Sequence, residues 1–253
     1  MSTKSCTTNL LETLDLMTKA LASGDNVDAL YLDFAKAFDT VPHKRLLEKL
    51  RAYGLGEKIC CWIEAFLSKR RQRVVLGEKV SNWSDVTSGV PQGSVLGPLL
   101  FVIYINDLPD KITNDCMLYA DDSKLISRIK NDTNVANLQK DIDIINNWCE
   151  TWLMKLIVSK CKVMHMGKNN QRAAYSMFGT DLETSACEKD LGIHITDDLK
   201  WSTHVQTIAA RNNRILGMLK RSITYKPPKI WKQFYTALIR PHLEYAVQIW
   251  RQT

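Results

Sequence analysis

The stretch Cys116-Met117-Leu118-Tyr119-Ala120-Asp121-Asp122-Ser123-Lys124-Leu125-Ile126 constrains the fold more than any other. Two adjacent acids separate two apolar runs with the residue types of strands, and the acids fall where a tight hairpin turns. Such a hairpin presents both carboxylates at one end of a sheet. Two carboxylates fixed there can hold a hard divalent cation through oxygen. Asp is also a common turn residue, and taken alone the pair reads as a solvated turn. Asp197-Asp198 is an internal control, an identical pair with no other sign of chemistry around it.

The remaining chain predicts alternating helices and short strands. Leu10, Leu14, Met17 and Leu21 recur at helical steps within 7–22, with Thr7 or Thr8 as the cap. Residues 29–32 form a short buried strand closed by Asp33, and residues 34–39 turn the chain. Helices follow over 42–53 and 57–67. The basic cluster Lys69-Arg70-Arg71-Gln72-Arg73 leads into strands, and residues 86–97 form a loop rich in Gly and Pro. A buried helix covers 99–108. Residues 132–152 make a long amphipathic helix, with Val135, Leu138, Ile142, Ile145, Trp148 and Trp152 on its apolar stripe. Strands are expected at 162–166 and 190–195, and helices at 205–219, 229–238 and after Pro241.

With 253 residues the chain is long enough for a sizeable core in one or two domains. The net charge of +7 favours a polyanionic partner or a membrane surface, and a solvated basic surface is its plain reading. The most apolar run, 95–105, is shorter than the ~20 residues a membrane span needs. It is also broken by Gly97 and Pro98, so no membrane partner is expected. No signal peptide is visible. The seven cysteines are scattered without the paired spacing of a zinc site, which fits reduced thiols in the cytoplasm or nucleus of a protein that is not secreted. Cys161 and His165 lie on an expected strand and read as structural. Between Lys200 and Arg240 there are nine Lys or Arg and no Asp or Glu, which marks a nucleic-acid surface; Arg211, Arg214, Lys220 and Arg221 belong to it.

Three motifs in order give the acids a context. They are YLDFAKAFDTVPHKRLLEKL from Tyr31, VTSGVPQGSVLGPLLFVIYINDLP from Val86 and LYADDSKL from Leu118. Together they resemble the palm motifs of reverse transcriptases, most closely the jockey-type polymerases of non-LTR retrotransposons. The resemblance continues through WLMKLIVSKCKVMHMG and KDLGI to FYTALIRPHLEYAVQIW, and so runs from Lys4 to Trp250. It implies an α+β fold: a right-hand polymerase palm of antiparallel strands backed by helices, with partial fingers and a truncated helical thumb. Residues 1–198 would be fingers and palm, and 199–253 thumb.

The resemblance also implies an RNA-directed DNA polymerase that adds dNTPs to a primer on an RNA template. Phosphoryl transfer depends mainly on positioning and charge neutralisation, which suits two metal ions held by carboxylates. Asp33 and Asp121 are the implied metal ligands, with the Phe34 carbonyl helping and Asp122 as a looser third acid. The ion would be Mg²⁺, with Mn²⁺ as the alternative. Phe38 occupies the position of a steric gate against ribonucleotides, and core packing is its plain reading. Pro91, Gln92 and Gly93 match a loop that meets nucleotide and template. Asp39 matches an acid beside that loop, though a cap on the following helix explains it equally well. Lys160 matches a lysine that neutralises departing pyrophosphate, and Ile157 stands where similar sequences carry Asn. Arg70, Arg71 and Arg73 could meet the template backbone. Asp190-Leu191-Gly192 resembles the start of the primer-grip hairpin. Trp231, Tyr235 and Trp250 lie in the thumb, at the spacing of core residues.

The chain opens partway through the fingers of such polymerases, without the upstream strands or an endonuclease domain. It ends inside the thumb at Arg251-Gln252-Thr253. A fragment is therefore expected. The alternative to an enzyme is a catalytically silent remnant that only binds nucleic acid. No feature points to a specific protein partner.

Overall fold

The computed structural model describes residues 5–223, 225 and 227–251. Lys4, where the resemblance begins, lies outside the described residues, as do Gln252 and Thr253 of the chain's last three residues.

Helix α1 (Cys6–Ala22) is capped by Ser5 rather than by Thr7 or Thr8. Ser5 Oγ accepts the Thr8 N–H while the Thr8 side chain accepts the Ser5 N–H, so two orphan donors are satisfied reciprocally. Strand β1 (Asn26–Leu32) follows. Where sequence periodicity gives only a turn, the chain forms a short helix, α2 (Ala37–Thr40). Helices α3 (His43–Ala52) and α4 (Glu57–Leu67) come next. Four two-residue strands then build an exposed ribbon: β2 (Arg71–Gln72), β3 (Val75–Leu76), β4 (Lys79–Val80) and β5 (Ser84–Asp85).

Helix α5 (Leu96–Ile105) starts three residues before the expected Leu99. Ser94 Oγ accepts the Gly97 N–H at 2.9 Å and so satisfies one first-turn donor that has no partner within the helix. The acid hairpin is β6 (Asp115–Tyr119) and β7 (Asp122–Ile129), and the long helix α6 (Asp132–Trp152) matches its expected bounds. Then come β8 (Lys162–Met166), β9 (Ser176–Met177), β10 (Thr180–Asp181), β11 (Glu183–Thr184), β12 (Cys187–Asp190) and β13 (Ile193–Thr196). The strand expected over 190–195 is thus split by a two-residue turn. Leu191 (φ 44°) and Gly192 (φ 90°) both take the left-handed backbone that such hairpin turns require.

The tail holds α7 (Ser202–Ser222), α8 (Pro228–Phe234), a π-helical turn at Tyr235–Ile239, α9 (Arg240–Glu244) and α10 (Val247–Trp250). The helix expected over 229–238 therefore changes its hydrogen bonding at Tyr235. Pro241 sits in the first turn of α9, where its missing N–H costs nothing.

The chain divides into two compact units. The first comprises the residues up to Asp28, Met164–Asn170 and those from Thr184 onward. Here α1 packs with α10, and α7 with β13 and α9. Its buried polar centre is Asp28, whose carboxylate meets His165 Nδ1 at 2.7 Å and accepts from Asn170 Nδ2 at 2.8 Å.

The second unit comprises Ala29–Val163 and Gln171–Glu183. It carries the body of the sheet, whose strand order is β11-β8-β1-β7-β6. Its core joins Leu30, Leu32 and Phe34 from the strand end to Leu46 and Leu50 of α3, Phe101 and Tyr104 of α5, and Ile142, Ile145 and Trp148 of α6. Lys49 is buried in this core. Its ammonium donates to Asp107 and to the Tyr104 carbonyl, and lies 4.7, 4.8 and 3.8 Å from the ring centres of Tyr104, Trp148 and Trp152. Desolvation lowers its pKa, and the Asp107 carboxylate opposes that shift. Among the described residues no helix is long and apolar enough to cross a membrane.

Candidate active site

Asp33 directly follows the last residue of β1, and the backbone fixes it there. The Ile157 N–H donates to the Asp33 carbonyl at 2.8 Å, and the Ala35 N–H donates to the Lys155 carbonyl at 2.7 Å. Between them Phe34 and Leu156 form an antiparallel bridge. The Ile157 carbonyl accepts the N–H groups of Lys160 and Cys161, so one short loop ties Asp33 to Lys160. Lys160 Nζ ends 3.6 Å from Asp33 Oδ2. Both side chains remain largely exposed, at 61% and 41%. Burial raises the pKa of the Cys161 thiol, a hydrogen bond from the Asp33 backbone partly offsets this, and the group stays a neutral packing element.

The hairpin register pairs Tyr119 with Asp122. The loop is therefore Ala120-Asp121, and Asp122 already belongs to β7. This refines the sequence expectation, in which both acids form the turn. Ala120 has φ 54°, a left-handed backbone that a residue with a Cβ adopts only under constraint. The other end of β6 is held by Asp141 on α6, which is fully buried. Its carboxylate accepts from the Thr113 N–H at 3.0 Å, the Thr113 hydroxyl at 3.0 Å, the Asn114 N–H at 2.9 Å and Asn114 Nδ2 at 2.7 Å. Four donors on one carboxylate fix where the hairpin starts.

The glycine-rich loop is held against α2. The Val90 N–H donates to the Phe38 carbonyl at 2.7 Å and the Gly89 N–H to the Val41 carbonyl at 2.8 Å. Gly89 has φ 87°, and a Cβ on it would stand 2.6 Å from the Asp39 carbonyl oxygen. Only glycine permits this approach. Gln92 Nε2 donates to Asp39 Oδ1 at 3.0 Å. Asp39 therefore pairs with the loop, whereas α3 has Pro42 at its N-cap and no side-chain cap. Phe38 is half-buried with its ring 4.5 Å from that of Phe101 on α5.

These elements meet at one cavity of about 300 Å³. Asp33, Phe34, Phe38, Gln92, Asp121, Asp122 and Lys160 all line it. Lys36, which sequence reasoning missed, adds a second ammonium group. Its place between Asp33 and Phe38 in the same motif was the available signal. Pro91 and Gly93 flank Gln92 without lining the cavity. The Pro91 carbonyl instead accepts from the Ser94 hydroxyl at 2.7 Å and lies against Gly97, which has no Cβ to block it. Arg70, Arg71 and Arg73 lie at the base of the exposed ribbon and do not line the cavity. Arg211, Arg214, Lys220 and Arg221 are exposed on α7 in the first unit. Trp231 packs edge-on against Phe234 and Trp250 against His204, while Tyr235 is about half-exposed. The control pair at 197–198 is an ordinary turn: the Thr196 hydroxyl and Lys200 hold the Asp198 pKa down at about 2.

A family model described as reverse transcriptase (RNA-dependent DNA polymerase) matches residues 4–218, a span that contains every residue of the cavity. The chain belongs to the reverse transcriptase family. This reverse transcriptase chain is 27% identical over 200 residues to the RNA-directed DNA polymerase from mobile element jockey of Drosophila melanogaster, a match covering 75% of this chain and 22% of that one. It is 26% identical over 246 residues to the probable RNA-directed DNA polymerase from transposon BS of the same species, covering 88% and 26%. The chain thus spans about a quarter of the length of these curated relatives. Among solved structures, telomerase from Candida tropicalis in complex with a fragment of telomeric RNA superposes with a TM-score of 0.57 at 13% identity, over 95% of this chain and 40% of that one. That likeness shows the α+β polymerase-like fold of the reverse transcriptase. Divalent-metal dependence is a general property of the family.

Proposed function

We propose that this chain is the catalytic part of an RNA-directed DNA polymerase of the non-LTR retrotransposon type, adding dNTPs to a primer 3′-hydroxyl on an RNA template. The observation that carries the reading is the cavity lined together by Asp33, Asp121, Asp122, Lys36, Lys160 and Phe38. Among the described residues no three His, Cys, Asp or Glu side chains converge to hold one ion. Mg²⁺ usually takes one or two carboxylates and completes its shell with water and substrate phosphates. The donor set is all hard oxygen, so the residues fit Mg²⁺, or Mn²⁺ in its place. Asp33 and Asp121 would hold it, with the Phe34 carbonyl and Asp122 as further oxygens. Bound divalent ions supply Lewis acidity for the attacking and leaving oxygens.

The chain's own groups do the rest. Gln92, braced by Asp39, reaches the nucleotide from one wall, with Pro91 and Gly93 shaping the loop around it. Phe38, braced by Phe101, fills the space a ribose 2′-hydroxyl would need. As the primer 3′-hydroxyl gives up its proton to solvent and its oxygen bonds to the α-phosphorus, the bond to pyrophosphate breaks and Lys160 neutralises the departing charge. Arg70, Arg71 and Arg73, with Arg211, Arg214, Lys220 and Arg221, offer cations to the template and primer backbones. Residues 1–198 act as fingers and palm, and 199–253 as thumb.

Primer extension on a primed RNA template tests the reading. Dithiothreitol-reduced protein, dNTPs and Mg²⁺ are expected to give extension that stops with chelator and is lost in Asp33→Asn, whose thermal transition matches that of the parent. Extension that survives Asp33→Asn contradicts the reading. So does a folded parent chain that binds the template, releases it at high salt, and never extends the primer.

A further inference from the structure

The exposed ribbon contains a feature the cavity does not use. Strands β2 and β5 pair Arg71 with Asp85 and Gln72 with Ser84, while β3 and β4 pair Val75 with Val80 and Leu76 with Lys79. Between these pairs one strand holds two residues, Arg73 and Val74, and the other holds three, Ser81, Asn82 and Trp83. The Ser81 N–H donates to the Val74 carbonyl at 2.9 Å, so Asn82 and Trp83 together oppose Arg73. That is a β-bulge, a device that re-aims a side chain. The side chain re-aimed is Trp83, an indole left 51% exposed. The guanidinium carbons of Arg73 and Arg71 lie 4.7 and 5.7 Å from its ring centre. Asp85 steadies Arg71, with Oδ1 3.4 Å from Nε.

We infer that Trp83, flanked by Arg71 and Arg73, is a stacking site for a base of single-stranded polynucleotide, RNA or DNA. A half-exposed indole with two guanidinium groups held close to its ring offers its exposed aromatic surface to a base and nearby cations to the phosphates. Charge complementarity selects the occupant: residues 69–73 bring four cations to the base of the ribbon, where Asp85 is the acid paired with one of them. The ribbon also leads directly into the loop that carries Gln92, with the Val86 N–H donating to the Arg70 carbonyl at 2.9 Å. A strand held at Trp83 is therefore held by the same stretch of chain that shapes the cavity wall. The inference rests on the polymerase reading for the presence of a polynucleotide ligand, but not for any catalytic step.

Fluorescence anisotropy of labelled single-stranded RNA and DNA dodecamers, with no metal or dNTP, tests it. Trp83→Ala is expected to weaken binding of both oligonucleotides about tenfold, as for the loss of one stacked base. Trp83→Phe is expected to restore most of that affinity and Trp83→Leu, of similar apolar bulk but without a π-face, little of it. The dependence of log affinity on log salt should be unchanged by Trp83→Ala. In Arg73→Ala it should be shallower by about 0.7, the counterion release of a single phosphate of a single strand. Affinity of Trp83→Ala within twofold of the parent overturns the inference. So does Trp83→Leu binding as well as Trp83→Phe, which would mean that Trp83 only holds the ribbon together. The same ratios in an Asp33→Asn background separate failure of stacking from failure of catalysis.

Discussion

Replacing Gly89 by alanine should loosen the cavity without touching any group that lines it. Two penalties arise. The first is conformational: at φ 87° an L-residue is strained, at about 1–2 kcal/mol. The second is steric: the new Cβ would stand 2.6, 2.7 and 2.8 Å from the oxygen, Cα and carbonyl carbon of Asp39, all backbone atoms. Overpacking against atoms that cannot swing aside costs about 1–3 kcal/mol. The loop has little freedom to retreat. The Gly89 N–H is bonded to the Val41 carbonyl, the Ser88 hydroxyl donates to the Asp39 carbonyl at 2.9 Å, and His43 Nε2 lies 2.8 Å from the Gly89 carbonyl. A carbonyl only accepts, so His43 carries its proton on Nε2. Gly54 has a similar φ of 82° with nothing within 4 Å of a built Cβ, so Gly54→Ala reports the conformational penalty alone. Urea denaturation at constant m should show Gly89→Ala losing about 2–5 kcal/mol and Gly54→Ala about 1–2 kcal/mol. Any shift of Asp39 also drags its bond to Gln92, so KM for dNTP should rise in Gly89→Ala more than in Gly54→Ala. Equal destabilisation of the two variants would refute the steric argument.

Three further outcomes are expected. Asp141→Asn keeps one acceptor oxygen where the carboxylate served four donors, and should cost about 2–4 kcal/mol in denaturation; a loss under about 0.5 kcal/mol would mean that water replaces the missing acceptor. Phe38→Val should raise incorporation of rNTPs relative to dNTPs by on the order of tenfold, and an unchanged ratio would remove Phe38 from the gate role. His204 is buried beside His194, and its Nδ1 accepts the His194 N–H. Burial and that neighbour lower its pKa, so below about pH 6.5 the unfolded chain binds the proton that the folded chain refuses. Stability present at pH 7.5 should therefore fall at pH 5.5, and His204→Asn should flatten that dependence; an equally steep fall in the variant would point to other groups.

Much of the cavity was legible in the sequence because its signals are local. The strand ending at Asp33, the hairpin at Asp121 and the loop at Gln92 each announce themselves within ten residues, and the spacing of Phe38 from Asp33 is fixed by one turn and one short helix. What was not legible depends on partners far along the chain. Asp141 is a polar residue on an amphipathic helix until Thr113 and Asn114, nearly thirty residues earlier, are seen to donate to it. Lys49 reads as the polar face of α3, yet three aromatic rings and Asp107 close over it. The start of α5 at Leu96 depends on Ser94, a residue that reads equally well as loop. The bulge at Trp83 is a one-residue mismatch between two short pairings, which no periodicity reveals. The site loop at Ile157 holds Lys160 and Cys161 through its backbone carbonyl, so the absence of Asn there leaves the loop intact.

The most direct measurement compares the two acidic pairs of the chain. Single-turnover incorporation of one dNTP on a primed RNA template, in saturating Mg²⁺, should fall by about three orders of magnitude or more in Asp121→Asn, the scale of losing a main electrostatic contributor. Asp198→Asn, the same change in a pair that only shapes a turn, should react at close to the parent rate. Equal rates for the two variants, or a slower Asp198→Asn, would contradict the account of the cavity at Asp33 and Asp121.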